Sequence, residues 1–205
     1  MMSSMRSFTL AALVLTAASA SYPALAADKD GRFSVRGLGS AKCSELTLAI
    51  ENKDSASIQL YGSWFLGYLS ASNRLISQTF DAIPATSVND VIGVVAVLCR
   101  RTPDALVETA TYQALEALNA VRLRQDSPLL TMQDGARSLK IRQEALMFVQ
   151  TELASAKLYK GPADGKPSPE LARSIRAFQK AQKLPETGLP DMDVILRLKF
   201  SSVKK

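Results

Sequence analysis

The chain has 205 residues, a net charge of +6, two cysteines and no histidine. The missing imidazole removes His-based triads, most zinc sites and the usual neutral-pH general base. The charge is uneven: residues 28–120 carry 8 basic and 10 acidic groups, whereas residues 121–205 carry 16 and 9.

Met1–Ala26 reads as a signal peptide for export. Arg6 is the one charged side chain of its n-region, Phe8 to Ala20 is a mainly apolar core, and Ala24-Leu25-Ala26 offers small residues at both cleavage positions. Such a core is too short for a membrane span. Cleavage is expected near Ala26, with a periplasmic mature protein. No cysteine lies near that site, which argues against a lipoprotein anchor. No later run reaches ~18 apolar residues, so no stable membrane insertion is expected. In an oxidising compartment a lone pair of thiols, here Cys43 and Cys99, is expected to form a structural disulfide. Outside the cytoplasm a basic half points to an anionic polymer or surface, such as cell wall or phospholipid head groups, and no nucleic-acid partner is expected.

Residues 27–120 read as a helical domain. Cys43, Leu46 and Ile50 share one face of a first helix over 41–51. Ser55-Ala-Ser57 offers caps for a longer helix with Ile58, Tyr61, Phe65 and Leu69 on its apolar side and Trp64, Tyr68 and Ile76 widening it. Gly62 and Gly67 weaken that helix by about 1 kcal/mol each, which suggests close approach of another backbone. Ser87 and Asp90 resemble a capping box before Val91–Leu98, although the β-branched run also suits a buried strand. Thr102-Pro103-Asp104 reads as a fresh helix start, with Val107, Thr111, Ala114 and Leu118 on one side. A Cys43–Cys99 bond would staple the first helix to the third. The Gly-Leu-Gly lead-in to Cys43, Trp64-Phe-Leu-Gly67-Tyr68, and Cys99 before Thr102-Pro103 resemble small exported helical proteins of the acid-stress chaperone (HdeA-like) and secretion-effector immunity (Rap1a/Tai) kinds. That resemblance implies helices and a disulfide, and it transfers no functional residue.

Residues 121–140 read as a structured linker. Gln125-Asp-Ser-Pro128 and Gln133-Asp-Gly135 favour turns, and a helix is expected to begin near Ala136. From 141 to 200 the pattern is helix, Gly161–Gly165 turn, helix, Gly188 turn, helix. Gly161 and Gly165 are expected to take positive φ, and Ser168-Pro169-Glu170 has the cap, first-turn proline and acid of a helix start. Leu171, Ile175 and Phe178 mark the buried side, and Arg173, Arg176 and Lys180 the solvent side. Val149-Gln150, Leu153, Leu158-Tyr159, Gly161, Asp164-Gly165, Ile175, Phe178-Gln179, Leu184-Pro185, Gly188 and Leu198 resemble the peptidoglycan-binding domain-1 family in order and spacing. The resemblance implies a three-helix binding module. The family's usual Gly-Pro-x-Thr helix start is replaced here by Ser168-Pro169-Glu170-Leu171, and its Thr at the third helix by Val194.

The expected fold class is therefore all-α: a disulfide-stapled N-terminal bundle, a three-helix module and a basic tail over 201–205. The expected function is an exported, non-enzymatic cell-envelope protein that docks on peptidoglycan, its N-terminal domain binding an envelope partner. The alternative is a periplasmic chaperone, immunity-type or assembly factor with little wall affinity. The candidate ligand-binding residues are Tyr159, Asp164, Arg173, Arg176, Gln179, Lys180 and Lys183. Gln179 has two readings, a tie between helix and turn or a ligand contact. No catalytic residue, metal ligand or cofactor is expected.

Overall fold

The computed structural model describes residues 27–84 and 87–201. The expected signal peptide, Met1–Ala26, and the tail beyond Ser201 lie outside the described residues. Residues 27–34 belong to a separate unit, Met1–Ser34, in which the Asp28 carboxylate accepts from the backbone N–H groups of Asp30 and Arg32. All that follows lies in the second unit, Val35–Lys205.

Helix α1 (Cys43–Glu51) leaves its first backbone N–H groups without intrahelical partners, as every helix does. They are met by a distant loop: Cys43 N donates to Ala105 O at 2.8 Å and Ser44 N to Pro103 O at 2.9 Å. This use of the loop corrects one expectation. Thr102-Pro103-Asp104 starts no helix; Thr102 closes the end of α3 through a bond from Oγ1 to Leu98 O, and α4 (Val107–Leu118) begins only after Leu106. A second correction concerns α2 (Ser55–Leu75), which is capped by the Asp54 carboxylate accepting from Ser57 N at 3.2 Å; the serines lie inside its first turn. In α3 (Val88–Cys99) the capping box forms as read, with Ser87 Oγ and the Asp90 carboxylate each accepting from the other's backbone N–H. The helix reading of Val91–Leu98 holds and the strand reading does not.

The disulfide joins Cys43 at the start of α1 to Cys99 at the end of α3, with 4.7 Å between their Cα atoms and both residues fully buried. Leu46, Phe65, Val95 and Val107, also fully buried, belong to the same apolar core. Burying one such large side chain contributes about 1.5–3 kcal/mol. Trp64, half-buried, donates from Nε1 to Arg36 O at 2.9 Å and lies against Gly37 and Gly39. The two α2 glycines differ from expectation. A Cβ on Gly62 would stand 2.8 Å from the Val88 side chain, so a side chain rather than a backbone approaches there, and Gly67 faces open space.

The fold is mostly helical but not all-α. Strands β1 (Leu129–Asp134) and β2 (Arg137–Arg142) form an antiparallel hairpin where a linker and a helix from Ala136 were expected. The physical reason is spacing by two. Leu130 faces Ile141 and Met132 faces Leu139, which places four apolar side chains on one side of the ribbon; a helix would scatter them. Met132 and Ile141 are buried. Gly135, first of the two loop residues, has φ +59°, as primed hairpin turns favour.

Three helices follow: α5 (Gln143–Ser155), α6 (Pro169–Ala181) and α7 (Met192–Ser201). Leu146, Val149, Leu153, Leu171, Ile175, Phe178, Val194 and Leu198 are buried between them. The apolar interior runs without a break from the bundle into this module. Polar contacts reinforce the join. Asp81 and Leu123 exchange backbone bonds, the Arg142 guanidinium sits 4.8 Å from the Phe80 ring centroid, and Glu144 accepts from Arg124 N.

A candidate ligand groove on the C-terminal module

The module is organised by two buried glutamines that do the same work one helix apart. Gln150, just past the middle of α5, accepts from Gly165 N at 2.6 Å, and its Nε2 donates to Lys166 O and Asp164 Oδ1. Gln179, near the end of α6, accepts from Gly188 N at 2.9 Å, and its Nε2 donates to Leu189 O and Thr187 Oγ1. Each glycine has a positive φ, +71° and +70°. Each turn then runs through a proline, Pro167 or Pro190, into the residue that caps the next helix. Ser168 Oγ accepts from Leu171 N, and the Asp191 carboxylate accepts from Val194 N. Both amides are fully buried and satisfied, as buried polar groups must be.

The loop before α6 is fixed by close approach. Gly161 is not in the positive-φ region expected for it; it is needed because a Cβ there would strike the Tyr159 ring, which is itself buried and donates to Pro162 O. At Gly165 a Cβ would also meet Gln143 O at 2.6 Å. This rigid loop and the hairpin tip flank the start of α6, leaving two open depressions of about 530 and 490 Å3. The first is walled by the hairpin tip, Met132–Gly135, together with Arg173 and Arg176. Tyr159, Pro162, Asp164 and Lys166 line the second. Pro167, Ser168, Pro169 and Arg173 border both, so the two make one groove over the helix start.

Tyr159, Asp164, Arg173 and Arg176 are thus brought together in the groove, whereas Gln179, Lys180 and Lys183 line neither depression. Of the two readings of Gln179, the geometry gives the tie between helix and turn, since its side chain is closed off from solvent. Lys180 and Lys183 are exposed, Lys183 in a turn with φ +57°. Arg176 was expected on the solvent side; it is half-buried and paired with Asp134. Arg173 is exposed and forms no ion pair among the described residues. Asp164 is held below the usual carboxylate range, chiefly by the backbone N–H of Lys166. It therefore stays ionised and turns its charge into the loop. The sequence reading took Ser168 as a helix cap, which it is, but not as a groove residue, and it missed Lys166 and Asp134. Lys166 could have been found from its place between Gly165 and Pro167; nothing local to Asp134 points to α6.

Residues 142–198 match the family model described as "Putative peptidoglycan binding domain". No curated protein and no solved structure gives a significant match to the chain. The matched segment begins at the last residue of β2 and holds α5, α6 and the first seven residues of α7. It includes both glutamine-clamped turns and the α6 side of the groove, and it excludes the hairpin tip. The match supports peptidoglycan binding by this part of the molecule.

A third cavity, about 660 Å3, lies between α3, α4 and α7, outside that groove. Its lining is mainly apolar, including the exposed side chains of Val97 and Phe200, and also holds Arg101, Asp193 and Arg197. Among the described residues no helix is long and apolar enough to cross a membrane.

Proposed function

We propose that the chain is an exported, non-enzymatic protein of the periplasm that docks on peptidoglycan through residues 141–200, with the helical domain over 27–120 free to hold an envelope protein partner. The observation that carries the reading is the family match falling on a module whose groove presents an unpaired cation, Arg173. Peptidoglycan stems end in carboxylates, and a guanidinium takes a carboxylate through two parallel hydrogen bonds. Asp164, already engaged by the loop, and Tyr159, buried beneath it, shape the groove wall. Lys166, Lys180 and Lys183 add long-range attraction that salt weakens. The export reading draws support from the disulfide, since such bonds persist in oxidising compartments. The same bond leaves neither cysteine as a thiol nucleophile.

Co-sedimentation of the mature chain with isolated sacculi tests the reading. Binding at low salt that falls as salt rises, and that drops roughly fivefold or more in Arg173→Glu, is expected. No co-sedimentation at low salt would remove it.

The apolar groove between α3, α4 and α7 favours the second reading, an assembly, chaperone or immunity-type role through protein contact. Its signature is an envelope protein captured by the wild type and lost in Val97→Glu, in a chain that fails to bind sacculi.

A further inference from the structure

We propose that Asp134 tunes the ligand preference of the groove by neutralising Arg176, which leaves Arg173 as the guanidinium available to a single carboxylate. The inference rests on the peptidoglycan reading above and assigns a selectivity residue to that site.

Asp134 is the last residue of β1 and pairs in register with Arg137. Its carboxylate nevertheless turns to α6 and pairs with Arg176. Three segments converge to make this possible. The hairpin tip brings the acid, α6 brings the arginine, and Gly188 leaves the space, because a Cβ at 188 would strike the Asp134 carboxylate and stand 3.3 Å from Arg176 Nε. The Asp134 side chain is 15% exposed and that of Arg176 39%. Exposed ion pairs fluctuate and contribute little; this one is enclosed on the acid side and fixed by a glycine that admits it.

Arg173 lies one helical turn before Arg176 and lines the same depression. If both guanidinia were free, this depression would present two adjacent cations and favour densely anionic polymers. With Arg176 neutralised it presents one, suited to an isolated carboxylate. Arg176 lies inside the matched segment 142–198 and Asp134 outside it. The neutralising acid is therefore supplied by the hairpin, a part of this chain that the family pattern does not contain.

The test uses the mature chain and two probes, isolated sacculi and inorganic polyphosphate, each titrated over a range of salt. Asp134→Asn should tighten polyphosphate binding roughly two- to fivefold and steepen its salt dependence, with a smaller change on sacculi. Arg176→Gln combined with Asp134→Asn should bind polyphosphate like the wild type, because the pair it removes has no net charge, whereas Arg176→Gln alone should bind it less tightly, because it leaves the Asp134 carboxylate uncancelled. A merely structural fastener would lower the melting temperature in both single variants and leave the salt dependence unmoved. Wild-type sacculus binding with unchanged polyphosphate affinity in Asp134→Asn would overturn this inference and leave the peptidoglycan reading standing. A loss in the double variant Asp134→Asn with Arg176→Gln as large as in Arg173→Glu would do the same. If neither the wild type nor Asp134→Asn binds sacculi, both fall.

Discussion

The bundle and the module reach rigidity by different chemistry. In the bundle, α3 is apolar on most of its surface and a covalent bond ties its end to the start of α1. Few polar groups are buried there: Thr111 bonds its own helix, and Glu108 takes the Tyr68 hydroxyl at 2.9 Å. Burial first, and then that carboxylate, push the Tyr68 hydroxyl upward, so it remains a donor throughout the working pH range. In the module no covalent bond closes the chain. Two buried amides instead hold the two turns that lead into α6 and α7. A disulfide acts mainly on the unfolded chain, whereas a buried amide acts on the native turn it satisfies. The bundle is thus secured against opening as a whole, and the module against local loss of shape, which is what a groove built on loops requires.

The largest expected effect is on the bundle. Cys43→Ser with Cys99→Ser releases a loop with a sequence separation of 56 and should lower stability by about 4 kcal/mol. Urea unfolding, with and without a thiol reductant, measures it. Equal midpoints for the oxidised and reduced protein would break the contrast. Next in size are Gln150→Leu and Gln179→Leu, each of which strands a buried glycine N–H and should cost about 1–3 kcal/mol. Trp64 is the one tryptophan of the chain and lies in the bundle, so its fluorescence follows that region while far-ultraviolet dichroism follows all helices. Because the apolar interior is continuous, both signals should shift together in Gln179→Leu. Separate transitions would show that the regions unfold independently.

Much of this was legible in the sequence, and the failures are instructive. Periodicity located the helices, because 3.6-residue spacing of Tyr61, Phe65 and Leu69 survives any tertiary context. The capping box at Ser87 and Asp90 was readable because all its parts lie within four residues. Thr102-Pro103-Asp104 misled because its local pattern is a sound helix start. A non-local demand won, the orphan N–H groups of α1 requiring the carbonyls of Pro103 and Ala105. The hairpin was missed although its signal was present: Leu130 and Met132, then Leu139 and Ile141, alternate about the Gly135-Ala136 loop, whose leading glycine suits a primed hairpin turn. The helix expected from Ala136 claimed the same stretch instead. The repeat inside the module was also open to view, as Gln150 with Asp164-Gly165-Lys166-Pro167-Ser168 and Gln179 with Thr187-Gly188-Leu189-Pro190-Asp191. Unequal loop lengths hid it. The Asp134–Arg176 pair had no sequence signal, since it depends on how a hairpin tip meets a helix.

The smallest effect separates the two capping residues of the module by their chemistry. Ser168 caps α6 with a neutral hydroxyl, and Asp191 caps α7 with a carboxylate. Burial pushes the Asp191 carboxyl above its ordinary range, more than the bond from Val194 N pulls it down, and the nearby Asp193 and Asp90 push it further. A carboxyl raised in the folded state favours folding below its unfolded pKa of about 4 and loses that contribution as pH rises through the folded value. At pH 7 the buried charge is therefore a net cost. Asparagine caps a helix about as well as aspartate and carries no charge. Asp191→Asn should raise the melting temperature slightly at pH 7, and the gain should vanish below about pH 4, where the wild-type carboxyl is itself neutral. Calorimetry at the two pH values decides. A loss at pH 7 would mean that the charge of Asp191 stabilises α7 through the helix dipole by more than its burial costs, and the two caps would then differ in strength rather than in pH response.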